Sequence, residues 1–336
     1  MMQMTRRGVW GGFAGLLAGL FGQAPQASAA GFQREVLAFF YGWYGPKWNE
    51  NVRYHPARGA YPSMDEGVLR QQIAEMKAAN ITGLIVSWWP EVHGNHVQHL
   101  EMVLRNAQQA GLKLTVLFER FDTDGKDRKL SPQAVVEQFH FLSGLARSPA
   151  WLRVGDRPVF FIYGRALHDL RDAPEWNKAL AMLHAEHPAP FVLTVGAEDL
   201  RHNPMAAANF DGHFSYGNTG STVGLADIGA VRSAILKKNQ INANEAVTEH
   251  RIVVATVGPG YDDSRLGRSK ATVVDRRDGA TYAASWDAAL NTHPDWILIS
   301  TYNEWAESSF IEPSVEQGDL AMRQTKHYAG QFLGRN

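Results

Sequence analysis

From position 36 onward, short runs of β-branched and aromatic residues alternate with stretches whose apolar side chains recur every three or four positions. That alternation is the pattern of βα units feeding a parallel sheet. Strands are expected over residues 36–41, 83–87, 112–118, 158–163, 191–195, 212–216, 252–257 and 296–301. Helices are expected over 65–79, 96–110, 132–146, 174–185, 227–238, 282–291 and 319–332, with a less regular helical pattern over 199–209. Val68, Ile73 and Met76 share one face of the first helix, and Asp65 is placed to cap it. The second helix stops at Gly111, where a left-handed residue is wanted. Eight strands, each followed by a helix or loop and with no Pro/Gly/Ser-rich linker between them, predict a single-domain α/β protein, a (β/α)8 TIM barrel. A doubly wound open sheet is the rival, but no Gly-x-Gly-x-x-Gly follows the first strand.

In such barrels, chemistry gathers where the strands end at their C-termini. The first strand ends in Phe40-Tyr-Gly-Trp-Tyr-Gly-Pro46 and the second in Ser87-Trp-Trp-Pro-Glu-Val-His93. The next four end in Phe118-Glu-Arg120, Tyr163, Glu198-Asp199 and Ser215-Tyr-Gly-Asn218. The seventh ends in Gly258-Pro-Gly-Tyr-Asp-Asp263, and the eighth runs into a turn carrying Tyr302, Asn303, Glu304, Trp305 and Glu307. Aromatic rings and carboxyls on one rim suit a sugar, which needs acids for proton transfer and flat faces for its C–H surfaces. Glu304 and Glu307 are the candidate acid/base pair. Candidate sugar contacts are Tyr41, Trp43, Trp88, Glu119, Tyr216, Tyr261, Asp262, Tyr302, Asn303 and Trp305.

Each candidate has a plainer reading. Trp88 and Trp89 are adjacent, so at most one faces the barrel axis. Glu119 can pair with Arg120, and Asp262 and Asp263 can simply form a turn. His55 and His93 are the kind of residue that supports a site from its surface. His93, His96 and His99 repeat every three residues on what reads as an exposed helix, and no metal or cofactor is expected.

Composition narrows the function classes. A hydrophobic share of 45% over 336 residues is enough for a large core. Ten tryptophans and ten tyrosines fit a carbohydrate binder. The net charge of −1, with no Lys/Arg run, argues against nucleic acid. With no cysteine, disulfides, thiolate catalysis and zinc–thiolate sites are excluded.

The N-terminus reads as a leader. Thr5-Arg-Arg-Gly-Val-Trp10 is basic, residues 8–22 are apolar, and Ala27-Ser-Ala29 is a small-x-small cleavage site. The apolar run is too short to span a bilayer, and the paired arginines point to twin-arginine export, with the Sec route as the alternative. Removing 1–29 takes away Arg6 and Arg7 and no acid, moving the charge from −1 to −3. A periplasmic or secreted monomer is expected, with residues 30–336 as the catalytic domain and no membrane span.

Thr301-Tyr-Asn-Glu-Trp-Ala-Glu-Ser-Ser-Phe-Ile-Glu-Pro313 resembles the Asn-Glu-Trp-x-Glu-Gly-Thr-x-Ile-Glu-Pro signature of glycoside hydrolase family 99, the endo-α-mannosidases and endo-α-mannanases. Phe39-Phe-Tyr-Gly-Trp-Tyr44, Gly59-Ala-Tyr-Pro-Ser-Met-Asp65, Ile81-Thr-Gly-Leu-Ile-Val-Ser-Trp-Trp89 and Val257-Gly-Pro-Gly-Tyr-Asp-Asp263 with Asp275-Arg-Arg-Asp-Gly279 are similar to further segments of that family. The resemblance implies a (β/α)8 barrel and metal-free, endo-acting, retaining cleavage of α-mannosides. It implies that Glu304 deprotonates the sugar's own 2-hydroxyl to form a 1,2-anhydro sugar. Glu307 then protonates the leaving oxygen and later activates water. This chain departs from the pattern at Ala306 (histidine in the family), at Ser308-Ser309 (Gly-Thr) and at Arg265-Leu-Gly-Arg268 (an Arg-Pro-Trp run). The Glu-Ser-Ser-Phe-Ile portion is also similar to the inverting family 71 α-1,3-glucanases. Two further readings are a glycan-binding barrel without catalysis and a hydrolase that tailors the cell's own exopolysaccharide.

Overall fold

The computed structural model describes residues 32–48, 51–90, 95–122, 128–195, 209–214, 216 and 252–335. The expected leader 1–29, the helical patterns at 199–209 and 227–238, and His93, Glu198, Asp199 and Asn218 lie wholly or mostly outside them.

The strands are β1 (Glu35–Phe40), β2 (Gly83–Trp88), β3 (Lys113–Phe118), β4 (Arg153–Val154), β5 (Arg157–Ile162), β6 (Phe191–Val195), β7 (Gly212–Phe214), β8 (Ile252–Val257), β9 (Tyr261–Asp262), β10 (Val273–Val274) and β11 (Trp296–Ile299). Parallel pairing runs β1–β2–β3–β5–β6–β7–β8–β11 and returns from β11 to β1, so among the described residues eight strands close a ring. The sheet is the expected barrel. β4 adds an antiparallel turn onto β5, and β9 and β10 form a small hairpin beyond β8.

Side-chain period two divides the core into two layers. Val36, Ala38 and Phe40, with Leu84, Val86 and Trp88, pack outward beneath the helices. Leu37, Phe39 and Tyr41, with Ile85, Leu117, Phe161, Leu193 and Leu298, fill the barrel interior. The strands read as unbroken apolar runs because both of their faces are buried.

The helices are α1 (Glu66–Ala78), α2 (His96–Ala110), α3 (Pro132–Ser143), the single turn α4 (Gly164–Leu167), α5 (Ala173–His184), α6 (Ala280–Asn291) and α7 (Leu320–Leu333). Asp65 caps α1 by accepting from the Gly67 and Val68 amides at 2.8 and 3.1 Å. Ser131 and Asp172 do the same for α3 and α5. Gly111 ends α2 at φ 73°. Helix α3 stops at Ser143, short of the expected 146, because a 3-10 turn, Leu145–Arg147, follows Gly144. The face of α1 toward the core carries Leu69, Gln72, Ile73 and Met76. No helix among the described residues is long and apolar enough to cross a membrane.

His99 corrects one expectation. It lies buried against Phe40, not on an exposed face. A Cβ on Gly42 would meet its ring at 2.1 Å, so only glycine lets the end of β1 pass there. Burial, with His96 nearby, lowers the His99 pKa to about 4 and keeps the ring neutral.

Candidate active site

β11 ends at Ile299, two residues before the expected 301, because the chain there folds onto itself instead of continuing the sheet. The Thr301 amide donates to the Ser309 carbonyl at 2.8 Å, and the Ile311 amide donates back to the Thr301 carbonyl at 3.0 Å. This makes a tight loop, anchored to β1 where the Tyr302 amide donates to the Phe39 carbonyl at 2.8 Å.

Side chains leave that loop in different directions. The Asn303 amide bonds the backbone of Tyr41 twice, accepting at 2.8 Å and donating at 2.9 Å. The Tyr302 hydroxyl runs outward to Glu75 at 2.8 Å. Trp305 stacks on Phe310 with ring centroids 3.8 Å apart, and its indole N–H donates to Glu312 at 3.0 Å. Glu304 and Glu307 point into a cavity of about 750 Å³ at the C-terminal mouth of the barrel.

Tyr41, Trp43 and Tyr216 line one part of that cavity, Trp89, Glu119 and Tyr163 another. Arg165, His168, Leu266, Arg268 and Ala306 complete the rim. Trp43 is 45% exposed and rests on Tyr41 with centroids 4.4 Å apart, so one face of its indole is open to a ligand. The Tyr41 and Tyr216 hydroxyls bond each other, and burial holds both protonated.

Three carboxyls sit in this space with different partners. Burial, reinforced by the Glu307 carboxylate, pushes the Glu304 pKa up to about 8. Burial likewise raises Glu119 to about 7, although Ser87 donates to it at 2.9 Å. Glu307 is half-buried and accepts from the Arg268 guanidinium at 2.6 Å. Arg268 is itself held by Asp263 and the Tyr261 hydroxyl, both at 2.7 Å. The arrangement offers proton-holding acids, a charge-paired carboxylate and aromatic faces in one water-accessible pocket.

The family model described as glycosyl hydrolase family 99 matches residues 47–328. The chain belongs to glycosyl hydrolase family 99. It is similar to the glycoprotein endo-alpha-1,2-mannosidase of Mus musculus, at 24% identity over 83% of this chain and 67% of that protein. It is also similar to the glycoprotein endo-alpha-1,2-mannosidase-like protein of Homo sapiens, at 23% identity over 89% and 76%. A solved family 99 endo-alpha-mannosidase from Bacteroides thetaiotaomicron superposes with a TM-score of 0.72 at 23% identity, over 90% of this chain and 98% of that one. At that identity the superposition bears on the fold, and the family match makes the chain a glycoside hydrolase.

Within this family 99 barrel, the structure brings Tyr41, Trp43, Glu119, Tyr216, Glu304 and Glu307 to one cavity. Six expected sugar contacts are placed elsewhere. Trp88 is 1% exposed and packs toward Phe141 beneath α3, while its neighbour Trp89 lines the cavity. Asn303 is spent on the Tyr41 backbone. Tyr302 and Trp305 are fully buried in their contacts with Glu75, Phe310 and Glu312. Asp262 accepts from Arg53 and from the Ser264 amide, which stabilises the loop. Tyr261 stands behind Arg268 and does not line the cavity. The residues that sequence reasoning missed are Arg165, His168 and Arg268, since only the folded ring brings their loops to the mouth.

The departure from the family's glycine at 308 has a local cost. Ser308 adopts φ 53°, and its buried hydroxyl has no hydrogen-bond partner among the described residues. Ser308→Gly is expected to stabilise the protein by about 1 kcal/mol, because a left-handed non-glycine residue costs about that much. A urea unfolding midpoint that stays level or falls would contradict this.

Proposed function

We propose that this protein is an exported, endo-acting hydrolase of α-linked, mannose-type poly- or oligosaccharides. It works with retention, through a 1,2-anhydro sugar. The observation carrying this reading is that one turn aims both Glu304 and Glu307 into the aromatic-walled cavity. The names of the similar mannosidases supply the sugar and the endo mode; the leader-like residues 1–29 support export.

In the first step, ionised Glu304 takes the proton of the sugar's 2-hydroxyl. The freed oxygen attacks C1, the glycosidic C1–O bond breaks, and Glu307 delivers a proton to the departing oxygen. In the second step, Glu307 takes a proton from water, the new hydroxide adds to C1, and the C1–O2 bond opens. Glu304 then returns its proton to O2. The substrate supplies the nucleophile, so the usual reading of carboxyl separation as stereochemistry does not apply.

A raised pKa suits Glu304 to this task. A sugar hydroxyl is a weak acid, and a carboxylate at the ordinary value is a poor base toward it, whereas a base poised near the working pH transfers protons best. The ionised form is the active one. The same turnover needs Glu307 protonated, so the active enzyme holds one proton on the pair, and kcat/KM is expected to fall about tenfold per pH unit above about pH 8, the Glu304 value in the free enzyme, where that proton is lost. A profile still level or rising from pH 8 to 10 would contradict the roles given to the pair. Sizing the products of a linear α-mannooligosaccharide tests the function itself. Internal cuts are expected; stepwise release of single sugars, or cleavage of α-glucans alone, would overturn it.

A further inference from the structure

We propose that the glycan carries an anionic substituent, bound by a rim of Arg165 and His168 on the β5 side of the cavity. This rests on the glycosidase reading of the same cavity and adds the chemical class of its substrate. Arg165 and His168 both line the cavity, just after β5 ends. Lys129, whose ammonium donates to the His168 carbonyl, lies outside the cavity lining and adds positive charge nearby.

Arg165 differs from the other arginine at the mouth. Arg268 is answered by Asp263 at 2.7 Å and Glu307 at 2.6 Å. A little further along the chain from Arg165, Arg171 is answered by Glu175 at 3.0 Å. Arg165 makes no ion pair among the described residues, and its guanidinium instead lies over the Trp89 ring, 6.0 Å from the centroid. Glu119 is the acid whose charge it feels, and burial raises that carboxyl to about 7, so it is only about half ionised near neutrality.

A neutral mannan would leave this cation unmatched in a binding cavity. A carboxylate or an ester anion on a sugar next to the cleaved bond would match it, because a planar guanidinium bonds such groups through two parallel N–H donors. Its position by the Trp89 ring limits the side chain's freedom and reduces what is lost on binding. The positive rim also stands out on a chain whose formal net charge is −1.

The test compares kcat/KM on matched α-mannooligosaccharides that are unsubstituted, uronate-bearing, sulfated or phosphorylated. The wild type is expected to favour at least one anionic form by roughly tenfold or more, as a charge-assisted bond allows. Added salt should shrink that ratio. Arg165→Gln should bring it close to one, and Arg165→Lys should retain part of it. The arm that wins identifies the anion. If no anionic arm outruns the neutral one, or the ratio survives Arg165→Gln in a protein with an unchanged melting temperature, the inference fails. If the wild type cleaves none of the four, the hydrolase reading fails instead. Calorimetric affinities for the same oligosaccharides then decide between anionic and neutral ligands.

Discussion

Glutamine in place of Glu307 is expected to leave the protein folded and to lower turnover of unactivated α-mannosides by about 10²–10⁴-fold, the range supplied by a positioned proton donor. The effect should depend on the leaving group. An aryl mannoside whose phenol departs without help needs no acid in the first step, so anhydro-sugar formation recovers and the loss moves to the attack of water. Glu304→Gln removes the base that creates the nucleophile and gains nothing from a better leaving group. The two replacements share one reaction, so combining them should cost little more than the worse one alone. If Glu307→Gln were equally slow on aryl and natural substrates, or kept wild-type turnover, its assignment as acid would be wrong.

Glu312→Ala is expected to cost about 3–5 kcal/mol of stability, as breaking one half of a buried ion pair does. Glu312 is 1% exposed and accepts from four side chains: Tyr61 at 2.5 Å, Gln72 and Arg58 at 2.9 Å, and Trp305 at 3.0 Å. These donors come from α1, from the long β1–α1 connection and from the turn after β11, so one carboxylate ties three segments together. Removing it leaves Arg58, whose side chain is only 14% exposed, with Glu75 as its one remaining carboxylate, and leaves the Trp305 indole with the Tyr61 hydroxyl alone at 3.2 Å. Urea unfolding should show the loss. A midpoint within about 0.5 kcal/mol of wild type, the range of an ordinary surface substitution, would mean that the cluster is not a structural hub.

The barrel was legible because its strands are buried on both faces and its helices carry ordinary caps such as Asp65 and Gly111. Strand parity even contains the answer to the adjacent tryptophans. Leu84, Val86 and Trp88 face the helices, so the alternation of a strand turns the next residue, Trp89, toward the mouth. The turn after β11 misled in a different way. A dense run of polar and aromatic residues reads as chemistry, yet Tyr302, Asn303 and Trp305 mainly hold the loop so that Glu304 and Glu307 can project. Asn303 replaces a missing sheet partner for Tyr41, a role that depends on a contact 262 residues away in sequence. Arg268 was hidden for the same reason, since its pairing with Glu307 joins two loops whose meeting only ring closure determines.

Both glutamates line the cavity although the chain departs from the family pattern beside each of them. Ala306 stands between them and lines the same cavity, and Ser308 follows Glu307 with its hydroxyl buried. Arg268, from the Arg265-Leu-Gly-Arg268 run, donates to Glu307 and is held by Asp263 and Tyr261.

The most direct measurement is an NMR time course of a linear α-mannooligosaccharide with the wild-type enzyme, read before mutarotation sets in. Internal cleavage that exposes the α-anomer first is the expected result, since two inversions through an anhydro sugar restore the starting configuration. First appearance of the β-anomer would replace the anhydro route with direct attack of water and contradict the roles given to Glu304 and Glu307.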